Sequence, residues 1–107
     1  QFQYRKYGWW SSQEFMPGMY VKELYMDKVE FAGLVANGRV FRGDKGRYVT
    51  FLTLGIGNGQ YIDVTIKKPF SYSDHDVVYG QGTIKHSNNS DYILCYDSKG
   101  FRLEKYI

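Results

Sequence analysis

The chain is poor in the residues that build covalent or metal-based scaffolds. Its 107 residues include a single cysteine, Cys95, which excludes an internal disulfide and a zinc site made of several cysteines. No apolar run approaches the roughly 20 residues of a membrane-spanning helix, and no signal-peptide pattern opens the sequence. Because a lone cysteine also fits a reducing compartment, we expect a soluble, cytoplasmic protein with no membrane partner.

Signatures of the common enzyme classes are missing as well. The sequence has no nucleophile elbow, P-loop, pair of His ligands at helical spacing or dinucleotide fingerprint. The glycine-rich run 55–59 precedes a strand pattern, so it lacks the helix N-terminus that would bind phosphate. His75, between Asp74 and Asp76, fits a turn better than a metal site, because consecutive side chains of an extended chain diverge. We therefore expect a protein that is not an enzyme and has neither a metal nor a cofactor.

Aromatic residues are abundant instead. Tyr, Phe and Trp make up 19% of the chain, with 11 Tyr among them, and such residues favour the half-buried surfaces of β-sheets. A Tyr hydroxyl must be hydrated or hydrogen-bonded, so many of these rings should lie at the surface, where they are available for binding. The formal net charge of +3 permits a polyanionic partner. Both the length and the hydrophobic content suit one domain with a single core.

Two regions differ in their residue pattern. Residues 1–25 show no sustained period, so we predict an aromatic-rich N-terminal extension. Its adjacent Trp9 and Trp10 are expected to pack onto their own domain or onto a partner subunit. From residue 26 to residue 107, short β-type runs alternate with clusters of Gly, Asn and Asp, which predicts one all-β domain.

The second region contains seven short β-type runs, from which we predict five or six strands. The β-type runs lie at residues 29–36, 39–42, 47–56, 61–67, 77–85, 92–96 and 101–107. The breaks at 37–38 and 43–46 have the composition of turns, and 57–59 predicts a hairpin reversal. The stretch 70–76 is either a loop or one helical turn. This order suits a small Greek-key barrel, and either of the last two runs is a candidate for its closing strand.

Alternation within the longer runs separates an inner face from an outer face. The predicted inner residues are Tyr48, Thr50, Leu52, Leu54, Ile62, Val64, Ile66, Val78, Gly80, Gly82 and Ile84. The predicted outer residues are Arg47, Val49, Phe51, Thr53, Tyr61, Asp63, Thr65 and Lys67. The two inner glycines suit a tight bend or a barrel corner.

With the strands placed, residues 26–107 resemble the OB-fold domain of bacterial single-stranded-DNA-binding proteins. The similar segments are Asp27-Lys28-Val29-Glu30-Phe31-Ala32-Gly33, Arg39 to Val49, Phe51-Leu52-Thr53-Leu54, Tyr61-Ile62-Asp63-Val64-Thr65-Ile66, Val77 to Lys85 and Gly100-Phe101-Arg102-Leu103-Glu104. The resemblance implies a five-stranded Greek-key β-barrel that binds single-stranded DNA with little sequence specificity. It further implies a role in replication or recombination, in a bacterial or phage-infected cell.

Two features depart from that family. Its members usually end in a flexible tail with an acidic tip that recruits partner proteins, and this chain ends at residues 105–107 without one. Recruitment by that route is therefore not expected. Residues 1–25 have no counterpart in the resemblance, which fits a divergent relative encoded by a phage or a mobile element.

The predicted binding site combines stacking rings with basic groups on one surface. Bases stack on aromatic faces, and Lys and Arg contact phosphates. Phe51 and Tyr61 are the predicted stacking rings, and Arg47, Thr53, Thr65 and Lys67 share their face. The basic residues predicted at strand ends and loops, facing phosphates, are Arg39, Arg42, Lys45, Lys68 and Lys85. The alternative is that the rings cover an apolar wall and the charges are ordinary solvated surface.

Other functions remain compatible with the same sequence. RNA is an alternative substrate, and an OB domain of this kind also binds proteins or oligosaccharides on the same face. A third interpretation is an assembly protein whose exposed first strand pairs with that of another copy. Edge pairing of that kind would give a homodimer or a higher homo-oligomer.

Overall fold

In the part of the chain that the structure describes, the protein folds into seven β-strands. The computed structural model describes residues 15–57, 59–88 and 90–95 and the backbone of 103–106. Its strands are β1 (Tyr20–Tyr25), β2 (Lys28–Arg42), β3 (Tyr48–Gly57), β4 (Gln60–Ile66), β5 (Val77–His86), β6 (Asp91–Cys95) and β7 (Leu103–Tyr106). The predicted all-β class is confirmed. In these residues, no helix has the length and apolar character needed to cross a membrane. The predicted packing of Trp9 and Trp10 lies outside the described residues.

Hydrogen bonds between strands close into a ring. Strand β2 pairs antiparallel with β3, and β3 pairs antiparallel with β4. Strand β4 then pairs in parallel with β6, β6 pairs antiparallel with β5, and β5 returns antiparallel to β2. Strands β1 and β7 lie outside this ring, paired with β2 and β5. The apolar side chains that alternate along each strand therefore converge on a shared interior.

Besides its pairing with β1, strand β2 takes part in two pairings of the ring, because it is long and different parts of it pair with different strands. Residues 28–34 pair with β5, and residues 34–42 pair with β3. The register shifts between Val35 and Asn37, as at a β-bulge, which bends a strand and increases its twist. This bend allows β2 to pair with both β3 and β5, which closes the ring of strands.

The predicted turn at residues 37–38 is wrong, because β2 continues through it. Asn37 and Gly38 pair with Thr53 and Leu52 of β3, so strand pairing overrides the turn propensity of the dipeptide. A Cβ atom at Gly38 would lie 2.8 Å from the Tyr72 ring, so close approach explains this glycine. The predicted turn at 43–46 is confirmed: a short 3-10 turn at Asp44–Gly46 joins β2 to β3.

The sheet also begins earlier than the sequence pattern suggests. Strand β1 occupies the last six residues of the predicted extension and pairs with β2. Met26 and Asp27 form the two-residue connection, both with positive φ, at 46° and 67°. Positive φ at both central positions is typical of a hairpin turn that usually carries Asn and Gly. Because Met26-Asp27 lacks that composition, the hairpin was not visible in the sequence.

The predicted alternation of inner and outer residues is confirmed along β3, β4 and β5. The largest fully buried side chains are Phe31, Leu52, Leu54, Ile56, Ile62, Ile66, Ile93, Val29, Val35, Val64, Val78 and Thr50. Tyr48 differs from the prediction, since it is 45% exposed. It lies at the start of β3, opposite Arg42, where the β2–β3 hairpin extends beyond the core. The 70–76 stretch contains no helix and is a loop.

Cys95 on β6 is part of the buried core, and burial raises the pKa of its thiol to about 12. Only the thiolate reacts rapidly with alkylating reagents. We therefore expect the native protein to resist iodoacetamide at pH 8 and to take up one equivalent per chain in urea. Mass spectrometry of the intact protein measures both. Rapid labelling without urea would mean that β6 opens readily in the native state.

Candidate functional site

The outward side chains of β2, β3, β4 and β6 form one continuous surface. Cross-strand pairing aligns Arg39 with Phe51, Phe51 with Thr65, and Thr65 with Leu94. This surface, termed the outer face, consists of Arg39, Phe41, Val49, Phe51, Thr53, Tyr61, Asp63, Thr65, Lys67, Tyr92 and Leu94. It lies opposite the core, because side chains of a strand alternate between the two sides of the sheet.

Two phenylalanine rings and one guanidinium form a cluster on the outer face. The Phe41 and Phe51 ring centroids are 5.0 Å apart, with an interplanar angle of 34°. Arg39 Cζ lies 5.6 Å from the centroid of Phe41 and 5.9 Å from that of Phe51. A cation at this distance from a ring face is attracted by the ring quadrupole. The rings therefore hold a positive charge beside an apolar surface.

A groove of about 510 Å³ opens beside this cluster. Its lining residues are Phe41, Val49, Phe51, Asp63, Thr65, Lys67, Ser90, Tyr92 and Leu94. Because β4 lies between β3 and β6, aromatic and aliphatic side chains flank the groove on both sides, with polar β4 residues between them. Such a groove can receive a flat ring while its polar groups contact the edge of that ring.

Tyr61 points outward as predicted but lies apart from Phe51. It is 52% exposed and pairs with Gly55, where a Cβ atom would lie 3.6 Å from the Tyr61 ring. Phe51 is four residues from Gly55 along β3, a separation of about 13 Å at strand spacing. The Thr53–Asp63 pair lies between them. The two predicted stacking rings thus mark two separate positions on the outer face.

Basic residues predicted to contact phosphates fall into two groups. The first group lies on the same side of the sheet as the groove and the ring cluster. Arg39 lies over the two rings, exposed Lys67 lines the groove, and exposed Lys85 lies opposite Tyr92 on β5. Arg47 is exposed and precedes β3, with the same alternation as Phe51. Thr65, which was predicted to share this face, is not basic but also lines the groove, opposite Phe51.

The second group does not face the groove. Arg42 pairs with Tyr48, and both lie on the face of the β2–β3 hairpin that is opposite to the outer face. The Arg42 guanidinium lies close to Gly46. Lys45 is exposed at the tip of the turn, with a φ of 62°. Lys68 follows β4, and its carbonyl oxygen accepts a hydrogen bond of 2.9 Å from the Thr50 hydroxyl. These three residues were grouped with the site because loop positions do not reveal which face they serve.

Five residues of the outer face were not predicted as site residues, namely Phe41, Val49, Asp63, Tyr92 and Leu94, and three of them have polar or aromatic side chains. Phe41 was missed because the predicted turn at 37–38 broke the register that places it beside Phe51. Tyr92 was missed because its neighbours across the β4–β6 pairing are distant in sequence. Asp63 was predicted to point outward, but a carboxylate does not fit a phosphate-binding pattern.

The histidines take no part in a metal centre within the described ranges. There, no group of three His, Cys, Asp or Glu side chains is placed to hold a metal ion. His75 is exposed in a turn with a φ of 70°. His86 Nδ1 lies 2.8 Å from Asp91 Oδ1 on the next strand. The His86–Asp91 contact links the end of β5 to the start of β6.

No family model, curated protein or solved structure matches the chain. The chemistry of the outer face is therefore the basis for assigning a function. That face combines exposed rings, basic groups and an open groove on one side of the sheet.

Proposed function

We propose that the protein is an OB-fold protein that binds single-stranded DNA on its outer face, with little sequence specificity, during replication or recombination. The order of the ring, β2-β3-β4-β6-β5, supports this fold. OB folds are five-stranded Greek-key barrels that bind oligonucleotides on their second and third strands and on the first–second and fourth–fifth loops. Strands β3 and β4, together with the β2–β3 and β5–β6 connections, would correspond to these binding elements, and the groove beside β3 and β4 supports the proposal.

The ring cluster carries the proposal. Arg39 over Phe41 and Phe51 combines the two groups that single strands require, an aromatic face for a base and a cation for the adjacent phosphate. Stacking contributes roughly 1–3 kcal/mol per base and accepts any base. Lys67 and Lys85 extend the positive charge across the groove. A strand lying along β4 would thus meet rings and cations together.

Salt dependence distinguishes nucleic-acid binding from the alternatives on the same face. Each phosphate neutralised on a single strand contributes a slope of about −0.7 to the plot of log affinity against log salt. With Arg39, Lys67 and Lys85 engaged, the expected slope is about −2. Affinity for a fluorescein-labelled oligonucleotide should therefore fall about 20-fold between about 50 mM and 200 mM NaCl. Fluorescence anisotropy measures this directly.

Controls separate the competing substrates. Duplex DNA of the same length should compete poorly, because its bases are not available for stacking, and an RNA oligonucleotide tests the alternative nucleic acid. Absence of oligonucleotide binding at low salt would contradict the proposal. If oligonucleotide binding did not depend on salt and an oligosaccharide or a protein displaced the oligonucleotide, the outer face would be assigned to that ligand instead.

A further inference from the structure

One acidic side chain lies in the middle of the outer face. Asp63 is exposed on β4, between Tyr61 and Thr65, and lines the groove. Along the sheet, Asp63 lies between the level of Phe51 and the level of Tyr61. A single-stranded nucleic acid that crosses from one ring to the other therefore passes over Asp63. A carboxylate repels phosphate, so it is favourable there only if it faces a base.

The hydrogen bonding of Asp63 leaves acceptor capacity for a ligand. The Thr53 hydroxyl donates to Asp63 Oδ1 over 3.2 Å, which also orients the carboxylate. An ionised carboxylate has about four acceptor positions, and within the described ranges the Thr53 hydroxyl is its hydrogen-bond donor. Lys67 points to the same side but is four residues along β4, about 13 Å away at strand spacing. The carboxylate is thus positioned, charged and accessible.

We propose that Asp63 reads the edge of a stacked base and makes the protein prefer bases that present an amino group, so that cytosine binds more tightly than thymine. This inference rests on the proposed binding of single strands. It makes Asp63 a specificity-determining residue on a face where stacking itself accepts any base.

The two pyrimidines differ in the group that the carboxylate would meet. Cytosine carries the N4 amino donor, which Asp and Glu accept in known base readout, whereas thymine carries the O4 acceptor. The N3–H of thymine is flanked by two carbonyl oxygens, which repel a carboxylate. Because the rings are similar in size, their stacking differs little, and the comparison isolates the edge contact.

The test compares labelled oligo-dC and oligo-dT of equal length at pH 8 and one salt concentration. The wild-type protein should bind oligo-dC about three- to tenfold more tightly, as expected for a partly solvated hydrogen bond to a charged group. Asp63→Asn should abolish most of this preference, because an amide both donates and accepts. The same variant should bind oligo-dT more tightly, because a repulsive charge is removed.

Asp74→Asn is the matched control. Asp74 is exposed in the 70–76 loop, so this variant loses one negative charge but should retain the preference for oligo-dC. Tight but equal binding of the two oligonucleotides by the wild type would overturn the inference and leave the proposed function intact. A preference that persists in Asp63→Asn would overturn it as well. Failure to bind either oligonucleotide would contradict the proposed function itself.

Discussion

Replacing Phe41 and Phe51 together by alanine is expected to weaken binding of a single-stranded oligonucleotide by about 100-fold. Each stacked base is worth roughly 1–3 kcal/mol, and about 1.4 kcal/mol corresponds to a factor of ten in affinity. The two rings also hold Arg39 in place over them, at 5.6 Å and 5.9 Å. The double variant therefore loses both stacking and the positioned charge, and anisotropy titration measures the combined effect.

Tyr25→Ala is the matched control for this prediction. The Tyr25 ring is 59% exposed on β1, and Lys28 Nζ lies 5.7 Å from its centroid. It therefore reproduces the combination of exposed ring and nearby cation at a position away from the groove. We expect its affinity to stay within about twofold of the wild type, because no base would stack there. If the double variant also stayed within that range, the ring cluster would have no part in binding.

Gly82→Ala is expected to destabilise the protein by about 1–3 kcal/mol, as overpacking does in a close-packed core. A Cβ atom at Gly82 would lie 2.6 Å from Ile93 Cγ2, 2.7 Å from the Leu94 carbonyl oxygen and 2.8 Å from Cys95 Sγ. Two of these atoms belong to side chains, but the carbonyl is backbone of β6 and cannot move without disturbing the β5–β6 pairing. Urea unfolding followed by circular dichroism measures the change in free energy.

Gly43→Ala provides the comparison for Gly82→Ala. Gly43 has a φ of −90°, which alanine adopts freely, and the nearest atom to its Cβ position is the Arg47 carbonyl oxygen at 3.4 Å. The free energy of unfolding should therefore change little or rise by up to about 1 kcal/mol, because alanine restricts the unfolded chain. Equal stability of the two variants would mean that β5 and β6 lie further apart than the structure has them.

The residue pattern predicted which residues of the main strands are buried and which point outward. It predicted less about which strands and side chains are neighbours. Apart from Tyr48, the alternation along 47–56, 61–67 and 77–85 correctly separated buried from outward residues, since a period of two is a local property of extended chain. Gly82 was predicted to suit a tight bend or a barrel corner; the structure instead shows close packing of its Cα against β6. Strand β1 escaped prediction because its hairpin turn, Met26-Asp27, lacks the composition of such turns.

The proposed binding site was likewise predicted only in part from the sequence. Phe51 was identified from its outward position, but its partners Arg39 and Phe41 depend on β2 continuing through residues 37–38. A bulge at this point preserves the pairing and sets the register. A turn there would have directed both side chains elsewhere. The composition of Asn37-Gly38 favours a turn. Their pairing with Thr53 and Leu52 of β3 keeps them in a strand instead.

The sequence by itself determined the all-β class, the inner and outer faces of the main strands, and the presence of outward rings and basic groups. Only the tertiary structure decided which of them meet: Arg39 with two Phe rings, Tyr92 across the groove, and Asp63 between two ring positions. The physical reason is that alternation follows from the local geometry of one strand. Neighbours across a sheet follow from register and closure, which depend on residues far apart in the chain.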